Sequence, residues 1–114
     1  MLETEERKRI IHVIGICDRV KELTDEIGKE NFVTNRDYKR DCLCFNIING
    51  RYVLEDLQIE CPGKYDDLPF GDLLETSDMV EHHFPEADFN VIWNTLITVF
   101  DPIKEYLEKA LKEN

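Results

Sequence analysis

The chain has 114 residues, 42% hydrophobic and 34% charged, with 14 Lys and Arg against 25 Asp and Glu for a formal net charge of -11. That length predicts one domain with a single core over residues 1–114, and the low Gly and Pro content excludes collagenous and low-complexity classes. The acidic balance disfavours a nucleic-acid surface, because phosphates are neutralised by basic side chains.

The N-terminus, MLETEERKR, has no apolar run of signal-peptide length, and no segment approaches the ~20 apolar residues of a membrane span. The expectation is a cytoplasmic chain. Residues 4–27 then place Ile10, Ile11, Val13, Ile14, Cys17, Val20, Leu23 and Ile27 at helical spacing, with Gly28 as the stop. The next segment, KENFVTN, carries one apolar pair, Phe32 and Val33. It fits a short helical turn or loop, with Asn35 as N-cap for the helix that follows.

A second long helix is predicted from Arg36 to Glu60, closed by Cys61-Pro62-Gly63. Its apolar residues, Tyr38, Cys42, Leu43, Phe45, Ile47, Ile48, Tyr52, Leu54, Leu57 and Ile59, are too many for one narrow stripe. The surplus predicts burial on two sides, with a second copy of the chain covering one of them. Gly50 sits inside this helix at a cost of ~1 kcal/mol relative to Ala, which close backbone packing would explain.

Asp66, Asp67 and Pro69 signal a third, shorter helix held to the core by Phe70, Leu73, Leu74 and Val80. It should run to about Phe84, where Pro85 blocks continuation. Asp88 is the N-cap of a fourth helix with the clearest periodicity in the chain: Phe89, Ile92, Trp93, Leu96, Val99, Phe100, Ile103, Tyr106, Leu107, Ala110 and Leu111. Pro102 should kink it near Asp101. Four helices with short connections predict an all-α, up-and-down four-helix bundle.

Charge is unevenly distributed. From Lys29 to Arg51 there are five bases and three acids, whereas from Gly63 to Asn90 Lys64 stands against eight acids. No Gly-rich phosphate loop, G-x-S-x-G elbow or H-E-x-x-H zinc helix is present. Cys42 and Cys44 would point to different faces of a helix, so the cysteines read as reduced, mostly core thiols. The adjacent His82 and His83 also diverge on a helix and make a poor chelate, so neither a metal nor a cofactor is expected. His12 receives no role. A histidine in the acidic stretch TSDMVEHHFPEAD could serve as general acid or base, since an imidazole titrates near neutrality; the alternative is a structural turn.

The order of a first helix, a Phe-bearing connector, a helix with an aspartate and an Ile-Ile pair, and a final segment with DFNVIWNT and DPIK resembles the HepT-like family of the HEPN superfamily. The likeness runs from about Ile10 to Leu111. Asp88, Ile92, Trp93, Pro102 and Ile103 match its tail, and counting back from Trp93 puts His82 on the family's catalytic histidine. The resemblance implies a dimeric HEPN-like bundle with metal-independent RNase activity, in which the histidine handles protons and an arginine stabilises the phosphate. It also implies a toxin–antitoxin setting, with a minimal nucleotidyltransferase-like antitoxin that modifies a motif tyrosine.

This chain departs from that motif. Ser77 stands at the arginine position, Asp78 at the neighbouring asparagine and Phe84 at the tyrosine. The favoured expectation is therefore a degenerate HepT-like homodimer acting as a binding or regulatory subunit. A surviving ribonuclease would use His82 with Arg51 or Arg40 as substitute phosphate contact, and a register shift of one would bring in His83. A plain helical scaffold is the third reading, since a fold does not fix a function.

Overall fold

The computed structural model describes residues 3–113, which form helices joined by turns and short loops. In chain order the helices are α1 (Thr4–Ile27), α2 (Lys29–Thr34), α3 (Tyr38–Glu60), α4 (Phe70–His82), α5 (Phe89–Thr98) and α6 (Phe100–Lys112), with a 3-10 turn at Phe84–Glu86 between α4 and α5. All-α is the observed class. The helices pack as a bundle: α1 lies against α3 and α6, α3 against α4, and α5 closes the ring between α4 and α6. The thinnest dimension is 19 Å, about two helix diameters, so the bundle is two layers deep.

One hydrophobic cluster joins the helices. From α1 it takes Ile10, Val13, Ile16, Cys17 and Val20; from α3, Leu43, Ile47, Leu54 and Leu57; from α4, Leu73 and Val80; from α5 and α6, Ile92, Trp93, Phe100, Ile103 and Leu107. Truncating one of these fully buried Leu or Ile residues to Ala is worth about 2–5 kcal/mol. Gly50 faces this core on α3. A Cβ there would stand 3.4 Å from Phe100 Cε1 and 3.8 Å from Ile16 Cγ2, so the helix approaches both neighbours closely.

Several boundaries differ from the sequence expectations. Gly28, with φ +74 and ψ 157, ends α1 and starts α2 in a backbone region that side chains resist. The N-cap of α3 is Asp37, whose carboxylate accepts from the Lys39 amide at 2.8 Å; Asn35 instead closes α2. Asp66 and Asp67 do not cap α4, which begins at Phe70 without a side-chain cap. They belong to an exposed turn that buries Tyr65 and Leu68 instead. The Tyr65 hydroxyl donates to buried Glu6 at 2.5 Å, and Lys64 Nζ meets the same carboxylate at 2.7 Å.

α4 stops at His82, two residues before the expected end, because Pro85 disfavours helical geometry at Phe84 and the chain turns through a 3-10 segment. The break expected near Asp101 lies at Val99. Proline removes a donor and its ring clashes with the carbonyl four residues earlier, here Thr98, so the effect of Pro102 falls one turn upstream. The surplus on α3 is not buried within the chain: Tyr38, Phe45, Tyr52 and Ile59 are exposed, and so is Ile11 of α1.

Candidate functional site

The segment carrying His82 is the C-terminal half of α4, and it lies against the middle of α3. One face of α4 presents Ser77, Asp78, Glu81 and His82, a set spaced by three and four residues that shares a side of a helix. The facing part of α3 presents Arg51, Tyr52 and Glu55.

Arg51 organises the site. Its side chain is 15% exposed; Nη1 donates to Asp78 Oδ1 at 2.8 Å and to Ser77 Oγ at 3.4 Å, and Nε donates to Glu55 Oε2 at 3.1 Å. Nη1 also stands 3.5 Å from Glu81 Oε2. Burial alone would lower the arginine's pKa, but the hydrogen bonds it donates to Glu55 and Asp78 outweigh it and raise the value. The guanidinium further lies 4.8 Å from the centre of the Tyr52 ring.

Tyr52 extends the network to the histidine. Its hydroxyl donates to both oxygens of Glu81, at 2.9 and 3.0 Å, and that hydrogen bond raises the phenol's pKa. Glu81 Oε2 lies 3.9 Å from His82 Nε2, whose side chain is 62% exposed. His82 and Arg51 are thus separated by one carboxylate. His83 is exposed and closes α4 through its backbone amide, which donates to Met79 O.

The sequence-predicted residues divide accordingly. Ser77 and Asp78 adjoin Arg51, and Ser77 is fully buried, so a ligand docking beside His82 does not reach it. Arg40 is elsewhere: it is buried, donates to the Phe32 carbonyl at 3.3 Å and stacks 4.0 Å from the Phe89 ring. That guanidinium is committed to packing, which removes it as a phosphate contact from within its own chain. Phe84 packs edge-on against Phe89 with centroids 5.6 Å apart, and Phe89 in turn meets Phe32. The motif-tyrosine position is part of an aromatic row.

Sequence reasoning took Glu81 as one of the acids around His82 that would repel RNA, and missed Glu55 and Tyr52. Glu55 was legible as Arg51 plus four, whereas Tyr52 needed the α3–α4 packing. Metal ligands were sought in the Cys42–Cys44 and His82–His83 pairs, yet donor atoms of Asp78, Glu81 and His82 all lie within 4.8 Å of one another. The cation among them is Arg51, which already satisfies both carboxylates. A metal ion would have to displace it.

Among the described residues no helix is long and apolar enough to cross a membrane. No family model matches the chain, and no solved structure matches it. It is similar to a protein of Methanocaldococcus jannaschii named "Putative RNase MJ0125", with 22% identity over 102 residues that cover 89% of this chain and 86% of that protein.

Proposed function

We propose that this protein is an RNase-related helical domain whose His82 face serves as a binding or regulatory surface and does not cut RNA. The full-length similarity to a protein named as an RNase supports the ancestry. The observation that carries the loss of chemistry is the environment of Arg51, held by Asp78 and Glu55 with Glu81 at its edge. A phosphate must compete for this guanidinium with three carboxylates already in place, and one guanidinium against three carboxylates leaves the site anionic. Loss of a preorganised charge donor costs about 100-fold or more in rate.

The same reading accounts for Phe84, which offers no hydroxyl for nucleotide transfer. In a toxin–antitoxin ancestry, a nucleotidyltransferase-like partner would act on this chain by binding alone. Co-purification with such a protein, with no nucleotide attached by mass spectrometry, is the expected result.

One specific observation favours a second reading, an active metal-independent endoribonuclease: Arg51 reaches the Ser77 position and stands one carboxylate from His82. Incubation of the purified chain with RNA at low salt decides between the two. No cleavage above buffer is expected; cleavage that disappears in both His82→Ala and Arg51→Ala establishes the endoribonuclease.

A further inference from the structure

Three donor side chains meet on the last turn of α4. Asp78, Glu81 and His82 stand at helical positions i, i+3 and i+4, and a carboxylate oxygen of each acid and a ring nitrogen of the histidine lie within 4.8 Å of one another. Ligand atoms placed tetrahedrally around a zinc-sized ion, each at roughly 2.0–2.2 Å, stand about 3.4 Å apart. Closing that difference takes small rotations of side chains that are half exposed at Asp78 and largely exposed at His82. His83, next in sequence, lies outside the group and faces solvent.

The group is more than a patch of acids. Its imidazole selects first-row divalent ions over Mg2+ and Ca2+, which favour oxygen ligands alone. Tyr52 donates to both oxygens of Glu81, at 2.9 and 3.0 Å, the kind of outer hydrogen bond that orients a ligating carboxylate. Glu55, Asp78 and Glu81 surround one guanidinium, so with a neutral imidazole the site keeps a net charge of -2 even with Arg51 in place. Among the described residues no second lysine or arginine pairs with these carboxylates.

We propose that Asp78, Glu81 and His82 bind a first-row divalent metal ion of the zinc class, and that the ion takes the two carboxylates over from Arg51 and frees its guanidinium for an anion. Arg51 can give way without being stranded. Only Nη1 loses its carboxylates, at 2.8 Å on Asp78 and 3.5 Å on Glu81. Nε keeps Glu55 at 3.1 Å, and the Tyr52 ring remains 4.8 Å from the guanidinium. A charge of +2 bonded to both carboxylates outcompetes a charge of +1 shared between them.

With three protein ligands the ion keeps a position open to water or to a phosphate oxygen. The face then presents a metal ion and a released guanidinium where it had presented unbalanced carboxylates, and an anionic surface becomes one that receives phosphate. Metal uptake is thus the switch of the binding surface. Its consequence for RNA rests on the RNase-related reading, whereas uptake itself is measured without RNA.

The full chain, stripped of metal by a chelator, is titrated with Co2+ at neutral pH. Visible d–d absorption should saturate at a single ion per chain and be bleached by Zn2+. His82→Ala and Asp78→Asn should abolish it with unchanged helical circular dichroism, and His83→Ala should bind as the native chain does. Tyr52→Phe, which leaves all three ligands in place, should weaken uptake ~10-fold. Arg51→Met removes the competitor and should tighten it ~5-fold, the worth of a half-exposed ion pair. In a separate arm, saturating Zn2+ should raise the affinity of the native chain for short single-stranded RNA ~10-fold at low salt and leave His82→Ala unchanged. Absence of d–d absorption overturns the site, as does uptake equal in the native chain, His82→Ala and Asp78→Asn. Equal or weaker uptake by Arg51→Met overturns the displacement. Uptake that depends on His82 while RNA binding stays the same establishes the site and overturns the RNA-facing reading of this surface.

Discussion

Arg51 of α3 donates to the Asp78 carboxylate of α4 at 2.8 Å, and this contact ties the two helices that frame the His82 segment. The guanidinium sits mostly out of water while Asp78 is half exposed, which places the pair between a surface ion pair and a buried one. Arg51→Ala removes the cation but leaves Glu55, Asp78 and Glu81 facing one another. The expected loss is about 1–2 kcal/mol, read as a lower urea midpoint with unchanged slope. In a double-mutant cycle, Asp78→Asn should cost less in the Arg51→Met background than in the native one, with a coupling of roughly 0.5–1 kcal/mol. Additive effects would show that the contact holds nothing together.

The helices themselves were legible because their signal is local: a 3.6-residue apolar period with a glycine or proline at its end needs no knowledge of neighbours. Boundaries were less so. Asn35 and Asp37 are both competent caps, and the choice depends on which side chain the turn after α2 aims at a free amide. Tyr65 was invisible, since a lone aromatic in a polar turn carries no periodicity, and only the docking of that turn on α1 gives its hydroxyl a partner in Glu6. The same holds for the site. His82 and Ser77 could be placed by counting, but the arginine that meets Ser77 comes from 26 residues upstream and is set by helix packing.

The Glu6 carboxylate makes stability depend on pH. Burial raises its pKa, but hydrogen bonds from Lys64 and Tyr65 outweigh that and leave it below the ordinary 4.5. A carboxyl depressed in the folded state stabilises the fold above its unfolded value and loses that contribution as the pH drops through the folded one. Native protein should therefore weaken below about pH 4.5 relative to Glu6→Gln, whose neutral side chain still accepts from Tyr65. At pH 7 the native chain should be more stable by about 2 kcal/mol, the worth of a charge-assisted hydrogen bond. Parallel urea curves for the two proteins from pH 7 to pH 3 would refute this.

Two glycines should respond differently to alanine. Gly28, at φ +74 and ψ 157, occupies a region nearly closed to side chains, so Gly28→Ala should lower stability by about 1–3 kcal/mol. Gly50 is helical, and a methyl there meets Phe100 at ordinary contact distance, 3.4 Å. The ~1 kcal/mol helix-propensity gain then offsets slight crowding, and Gly50→Ala should be close to neutral. Gly50→Val adds two methyl groups beside Phe100 and Ile16 and should cost ~1–3 kcal/mol through overpacking. Thermal denaturation of the three variants checks the order; a Gly50→Val protein as stable as the native one would remove the case for close approach.

The carboxylates around Arg51 also make a prediction about RNA. If Asp78 and Glu81 hold the guanidinium back from phosphate, Asp78→Asn with Glu81→Gln removes both charges while leaving amide groups of similar shape, and the new amide oxygen of the Glu81→Gln change can still accept from Tyr52. Arg51 keeps Glu55 and gains freedom to meet an anion. The double variant should bind short single-stranded RNA ~10-fold more tightly than the native chain at low salt, measured by fluorescence anisotropy. That gain should shrink at 0.5 M salt, where exposed charges are screened within a few ångströms. Adding Arg51→Ala should abolish the gain, because the site has no replacement guanidinium in Arg40, which stays stacked on Phe89. An equal gain without Arg51 would mean that the acidic field alone repels RNA and that the Arg51–Asp78 contact serves only to join the helices.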